Sequence, residues 1–182
     1  MTAVQIGRTH ADQAWFALRV RSSSELLAAR QIEGLGYQSL APTYPTRRRW
    51  SDRMKEVQAP LFPGYIFCRM NPVERLPVLK CSSVIEVVSS GRVPLEVDPA
   101  EIDAIWRIVE TNSRCEPHPY LTLGQSVELD RGPLKGMSGI LLEDEGGLVV
   151  SVTLLQRSVR VSIDEAWIDP RCYKSVPTTR VA

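Results

Sequence analysis

From Thr122 onward the sequence reads as all-β, and that constraint decides half of the architecture. Val127 and Leu129 alternate, while Gly132, Gly136 and Gly139 mark tight backbone. Ile140-Leu141-Leu142 runs into a turn at Glu143–Gly147. The run LVVSVTLL (148–155) is strand-rich, and Val159, Val161 and Ile163 alternate strictly. This is the period-2 pattern of half-buried strands. Short strands packed so densely, roughly five within fifty residues, suit a small closed barrel. Val149, Val150, Val152, Thr153, Val159 and Val161 are β-branched and favour strands, so a stable β-domain is expected there.

The front of the chain mixes both periods. WFALRV (15–20) reads as a short apolar strand. Ser22-Ser23-Ser24-Glu25 offers a capping box, with Ser22 as N-cap and Glu25 three positions on. Leu26, Ala29, Ile32 and Leu35 then recur at helical spacing before Gly34 and Gly36 stop the helix. YQSLAPTY (37–44) returns as a strand. In QAPLFPGYIFCRM (58–70), the pleat puts Ile66, Cys68 and Met70 on one face and Tyr65, Phe67 and Arg69 on the other. Cys and Met make the first face a core side. The second is either covered by a helix or an apolar patch with a partner. A short helix around 73–80 and a strand at 84–88 follow. Asp98-Pro99-Ala100-Glu101 starts a further helix with Asp98 as N-cap, its apolar stripe being Ile102, Ile105, Trp106 and Val109. The class is α+β. Trp15 and Trp106 are expected in the core, and Trp167 as a plug of the carboxy-terminal one.

Residues 112–121 (NSRCEPHPYL) lose periodicity and carry Pro117 and Pro119, so they read as an interdomain linker. The expected division is a disordered tail at 1–13, a first domain at 14–111, the linker at 112–121, a β-domain at 122–170 and a tail at 171–182.

Net charge is only +1, so the whole molecule is no nucleic-acid sponge. The basic charge is local: residues 44–55 hold Arg47, Arg48, Arg49, Arg53 and Lys55 against Asp52 alone. Trp50 beside the run offers stacking or cation–π contact. Such a run is otherwise a solvated hairpin tip. The cysteines (68, 81, 115, 172) form no C-x-x-C pair, and His10 and His118 lie apart from them. No metal, cofactor or catalytic constellation is expected. Gly132–Ser138 superficially suggests a phosphate loop, yet Lys135 precedes the glycine and no helix-forming stretch follows. No apolar run reaches the roughly 18 residues that span a bilayer, and the amino terminus lacks a signal-peptide core, so a cytoplasmic location is expected. A monomer without a membrane partner is expected as well.

Two segments carry a family resemblance. Trp15, with Glu25 ten residues later, and PLFPGYIF (60–67) together resemble the amino-terminal domain of NusG proteins. GQSVELDRGPLKGMSGILL (124–142), followed by VSVTLLQRSVRVSI, resembles the KOW module, which ribosomal proteins also carry. The resemblance implies a ferredoxin-like α/β sandwich followed by an SH3-like barrel. It also implies a non-enzymatic transcription elongation or antitermination factor. The front domain would bind the RNA polymerase clamp coiled coil through an apolar depression matched here by Phe62, Tyr65 and Phe67, and would suppress pausing. Arg47, Arg48, Arg49 and Trp50 would lie beside the non-template DNA strand. The KOW module would tether Rho or a small-subunit ribosomal protein through the loop Leu155, Gln156 and Arg157. Many family members have Phe-Gly-Arg in that loop, so its loss weakens the case for Rho. The RRRWSDR and LLQRSV stretches look more like specialised paralogues of long polysaccharide operons than the housekeeping factor. A helical switch of the carboxy-terminal domain, known in one such relative, is not expected here.

A ribosome-associated RNA-binding protein is the competing class. It would need a basic β-domain, yet residues 122–182 hold seven Lys or Arg against eight Asp or Glu. That balance favours a protein partner.

Overall fold

A computed structural model describes residues 13–50, 53–121, 125–142, 147–164 and 167; of Arg48, Trp50, Arg53 and Gln125 it describes the backbone alone. The expected tails therefore lie outside the described residues, apart from Gln13. The chain divides into two compact units, residues 1–40 with 64–96 and residues 41–63 with 97–182. This division crosses the expected domain boundary twice.

In the first unit, strands β1 (Ala14–Val20), β2 (Gln38–Leu40), β5 (Tyr65–Met70) and β6 (Val84–Val87) form an antiparallel sheet in the order β2-β5-β1-β6. Phe16 and Leu18 on β1 share a face with Ile66, Cys68 and Met70 on β5, and all five are fully buried. Helix α1 (Glu25–Gly34) packs on this face, since Ser39, paired with Cys68, donates to the Ala29 carbonyl at 3.4 Å and to Glu33 Oε1 at 2.9 Å. Its inward stripe is Glu25, Ala28, Ala29 and Ile32; Leu26, Leu27 and Leu35 are exposed. The expected stripe was thus rotated, because Glu25, polar in sequence, turns inward. The expected capping box is absent: the N-cap is Ser24, with no side-chain cap bond. A short helix α2 (Leu76–Leu79) precedes β6, and a small ladder joins β7 (Ser89–Ser90) to β8 (Val93–Pro94).

The second unit contains the basic hairpin, β3 (Thr43–Trp50) paired with β4 (Arg53–Pro60) in unbroken register from Thr43↔Pro60 to Trp50↔Arg53. Helix α3 (Pro99–Glu110) starts as its sequence predicts, with Asp98 accepting from the Ala100 N–H at 2.8 Å and Pro99 in the first turn. It buries Ile102, Ile105 and Ile108, whereas Trp106 is half-buried and Val109 exposed. Trp15 in the first unit is likewise half-buried, so neither tryptophan is the core residue expected. Strands β9 (Cys115–Pro119), β10 (Gln125–Glu128), β11 (Ser138–Leu142), β12 (Gly147–Val152) and β13 (Arg157–Ser162) form an antiparallel sheet in the order β10-β11-β12-β13-β9. Among the described residues no ladder joins β9 to β10, so the hydrogen-bonded run of the expected barrel stays open there.

β9 corrects the linker expectation. Residues 115–119 pair with β13 from Cys115↔Val161 to Pro119↔Arg157. Pro117 and Pro119 sit two apart on a strand at the sheet edge, where the missing N–H groups leave no ladder bond unmade. The core between the strands holds Val127, Leu129, Leu134, Leu148, Val149, Val152, Val159 and Val161, all nearly inaccessible. Trp167 is half-buried; its carbonyl accepts from the Asp130 N–H at 2.8 Å and its ring lies over Gly132. Gly139 marks a close approach on β11: a Cβ there would stand 2.6 Å from the Val149 carbonyl oxygen and 2.8 Å from Leu148 Cγ. Because one obstacle is backbone, Gly139→Ala should destabilise this unit by about 2 kcal/mol, read as a lower urea midpoint at unchanged m-value.

Candidate docking and nucleic-acid surfaces

The turn before β5 gives Glu25 its role. Glu25 opens α1 and is 6 % exposed, and its Oε1 accepts from the Gly64 N–H at 2.9 Å, 39 residues along the chain. Gly64 has φ +82°, a left-handed conformation that a side chain would strain. Its carbonyl in turn accepts from the Val20 N–H at 2.8 Å, at the end of β1. The buried carboxylate thus ties the start of α1 to the turn before β5, and the Gly64 carbonyl ties that turn to the end of β1.

The pleat sets Tyr65 and Phe67 on one face of β5. Phe67 is fully buried between its ladder partners Ala17 and Leu40, themselves buried. The face is therefore closed at Phe67, the covered alternative of the two, whereas the family depression implies an accessible ring there. β5 is an inner strand of the sheet, so a ladder partner flanks Phe67 on each side. Tyr65 is half-buried and pairs across the ladder with Arg19, which is exposed and bridges Glu86 at 3.0 Å. Trp15 and Arg69, opposite each other on the same face, are also half-buried. Phe62 is 1 % exposed and belongs to the other compact unit, so it is not an open ring either.

The basic residues lie along the hairpin. Arg47 and Arg49 on β3 are exposed, with Glu56 opposite Arg47 and Met54 opposite Arg49. Arg48 pairs in register with Lys55 and Trp50 with Arg53; the side chains of Arg48 and Trp50 lie outside the described residues. At the hairpin root, Tyr44, Thr46 and Arg47 border a groove of about 810 Å³ whose other wall holds Arg114, Cys115, Glu116, Arg160 and Ser162. Arg114 and Arg160 escaped the sequence reading: one sits in a segment read as linker, the other between valines of an alternating strand. The expected partner loop follows β12: Thr153–Leu155 make one 3-10 turn, Gln156 takes φ +51°, and Arg157 opens β13. Leu155 is half-buried, while Gln156 and Arg157 are exposed.

Cys115, in the groove lining, has a displaced titration. Burial first, and then the adjacent Glu116 charge, push its thiol up to about 11. Between the ordinary value of 9.0 and that figure, the unfolded chain releases a proton that the folded chain retains, so stability falls across that window as pH rises. At pH 8 the thiolate fraction of Cys115 should be about a hundredfold below that of an ordinary thiol. Alkylation followed by peptide mass mapping, native against unfolded, checks this as slow modification of the Cys115 peptide.

Among the described residues no group of three His, Cys, Asp or Glu side chains could hold a metal ion, and no helix is long and apolar enough to cross a membrane. A search of curated proteins returned no match. Among solved structures, the chain is similar to one of domain interaction in Thermotoga maritima NusG, at 22 % identity over 88 % of this chain and 98 % of that one, TM-score 0.49. It is also similar to the MjSpt4:Spt5 complex in conformation B, at 14 % identity over 89 % and 97 % of the two chains, TM-score 0.32. Likenesses this loose place no residue. A family model described as transcription termination factor nusG, however, matches residues 13–106, more than half the chain and the span that holds Trp15, Glu25 and the Gly64 turn. The chain belongs to the NusG family, whose members are non-enzymatic transcription factors.

Proposed function

We propose that this protein is an elongation and antitermination factor that docks on RNA polymerase through its amino-terminal sheet, suppresses pausing, and recruits a second protein through its carboxy-terminal sheet. The observation that carries the reading is the Glu25–Gly64 lock inside the family-matched span, which fixes how β5 presents Tyr65. Tyr65 supplies the accessible ring, Phe67 its buried base, and the Arg19–Glu86 pair a polar rim. An apolar anchor with a charged border is what a partner helix engages, here the clamp coiled coil. Phe62 is 1 % exposed and supplies no accessible ring to this surface.

The hairpin run Arg47, Arg48, Arg49 and Trp50 contacts the non-template strand while the factor is bound. The carboxy-terminal sheet, a KOW-type barrel in this reading, has a balanced charge that suits a protein partner such as Rho or a small-subunit ribosomal protein, met through Leu155, Gln156 and Arg157. The protein works in the cytoplasm as a monomer. The test is a single-round elongation assay on purified RNA polymerase. The parent chain should shorten pause dwell times and Tyr65→Asp should not; equal dwell times with and without the parent chain would reject the reading.

A further inference from the structure

We propose that the groove at the hairpin root is a binding site for a single strand of nucleic acid, continuous with the basic hairpin. This deepens the nucleic-acid contact proposed above and rests on it. The groove lies between the start of β3 and the β9–β13 edge, and its lining combines Arg47, Arg114 and Arg160 with the ring of Tyr44. Its one carboxylate, Glu116, is engaged by Arg160 Nη1 at 3.1 Å. Two cationic charges are left over. Arg47 and Arg114 are both exposed and form no ion pair among the described residues, although Glu56 stands opposite Arg47 in the β3–β4 ladder.

The scaffold under these groups is ordered by backbone bonds. The Arg114 carbonyl accepts from the Ser162 N–H at 2.9 Å, which pins Arg114 to the end of β13. The Arg160↔Glu116 pair sits in the β13–β9 ladder one step away from Cys115↔Val161. Arg114 is thereby held on the strand edge, while Arg47 faces it from the hairpin and begins the run that continues through Arg48 and Arg49.

The chemistry selects a polyanion with flat, stackable groups. Arginines recognise phosphate by paired N–H donors, and a half-buried tyrosine in a basic groove offers a base a π-face. Duplex DNA does not present unstacked bases, so a single strand is the better fit. An acidic peptide would satisfy the arginines but would leave the Tyr44 ring without a role.

The experiment is fluorescence anisotropy of labelled oligodeoxythymidine titrated with the full chain over a range of salt, beside the same measurement with duplex of equal length. Arg114→Gln should weaken single-strand binding about two- to fivefold, the upper part of the range for one exposed ion pair. Arg47→Gln with Arg114→Gln should lower the slope of log K against log salt by about 1.4, two phosphates at roughly 0.7 each. Arg114→Lys should restore most of the affinity, and Tyr44→Leu should weaken binding with the salt slope unchanged. Polymerase binding should be unaffected by Arg114→Gln, which separates this site from the docking face. Several results would overturn the proposal: parental affinity and slope in the double variant, tighter binding of duplex than single strand, or displacement by poly-glutamate at oligonucleotide-like concentrations. Loss of binding on changing Arg48 and Arg49 but not Arg114 would also overturn it, while leaving the hairpin-tip contact standing.

Discussion

Phe67→Ala should destabilise the amino-terminal unit by about 3–5 kcal/mol, the largest effect of any single truncation considered. The ring is completely inaccessible on an inner strand, flanked across both ladders by the buried Ala17 and Leu40. Ala17 is too small to fill the space. The loss then combines the transfer of an aromatic side chain with an unfilled cavity. Urea unfolding followed by far-UV circular dichroism measures it. A loss below about 1 kcal/mol would mean that the ring is not packed as described. Phe67→Asp, the change that first suggests itself for a docking test, would bury an unpaired charge and report on folding instead.

Glu25→Ala is the second large effect, expected at about 2–3 kcal/mol. The carboxylate is buried and receives the Gly64 N–H at 2.9 Å. Removing it leaves that donor without an acceptor at a turn already committed to φ +82°. Glu25→Gln keeps an amide oxygen at the same reach and should recover at least half of the loss. Hydrogen exchange at the Gly64 amide provides a local check: protection should drop in Glu25→Ala and largely return in Glu25→Gln. If the two variants lose equal stability, the bond contributes nothing specific.

These two residues also show what could be read from the sequence and what could not. The Trp15–Glu25 spacing and the PGY turn stood out in the chain, but Ser22–Glu25 satisfied a local capping pattern, and the actual partner of Glu25 lies 39 residues away. No short-range rule reaches that far. The pleat of β5 assigned each side chain to its face correctly. Whether the second face is covered depends on what the rest of the chain packs against the sheet, which is not written in YIFCRM itself. The same holds for β9, where two prolines erased the strand signal although an edge position accommodates them. Strong local chemistry carried over: Asp98-Pro99 opens α3, the basic run lies on a hairpin, and the valine-rich tail forms strands. The helix stripes were legible in period but displaced in phase, since Glu25 faces inward and Leu26 outward.

The proposed docking role rests on Tyr65, the one ring of the three with part of its surface accessible. Because it is only half-buried, Tyr65→Asp can keep the fold and still abolish an apolar anchor, an effect expected to reach at least tenfold in affinity. The deciding measurement is the affinity of purified core RNA polymerase for the full chain and for Tyr65→Asp, with matching circular dichroism spectra as the folding control. The account predicts binding by the parent chain and at least a tenfold loss in the variant. Equal binding by the two, or none by the parent chain, would contradict it.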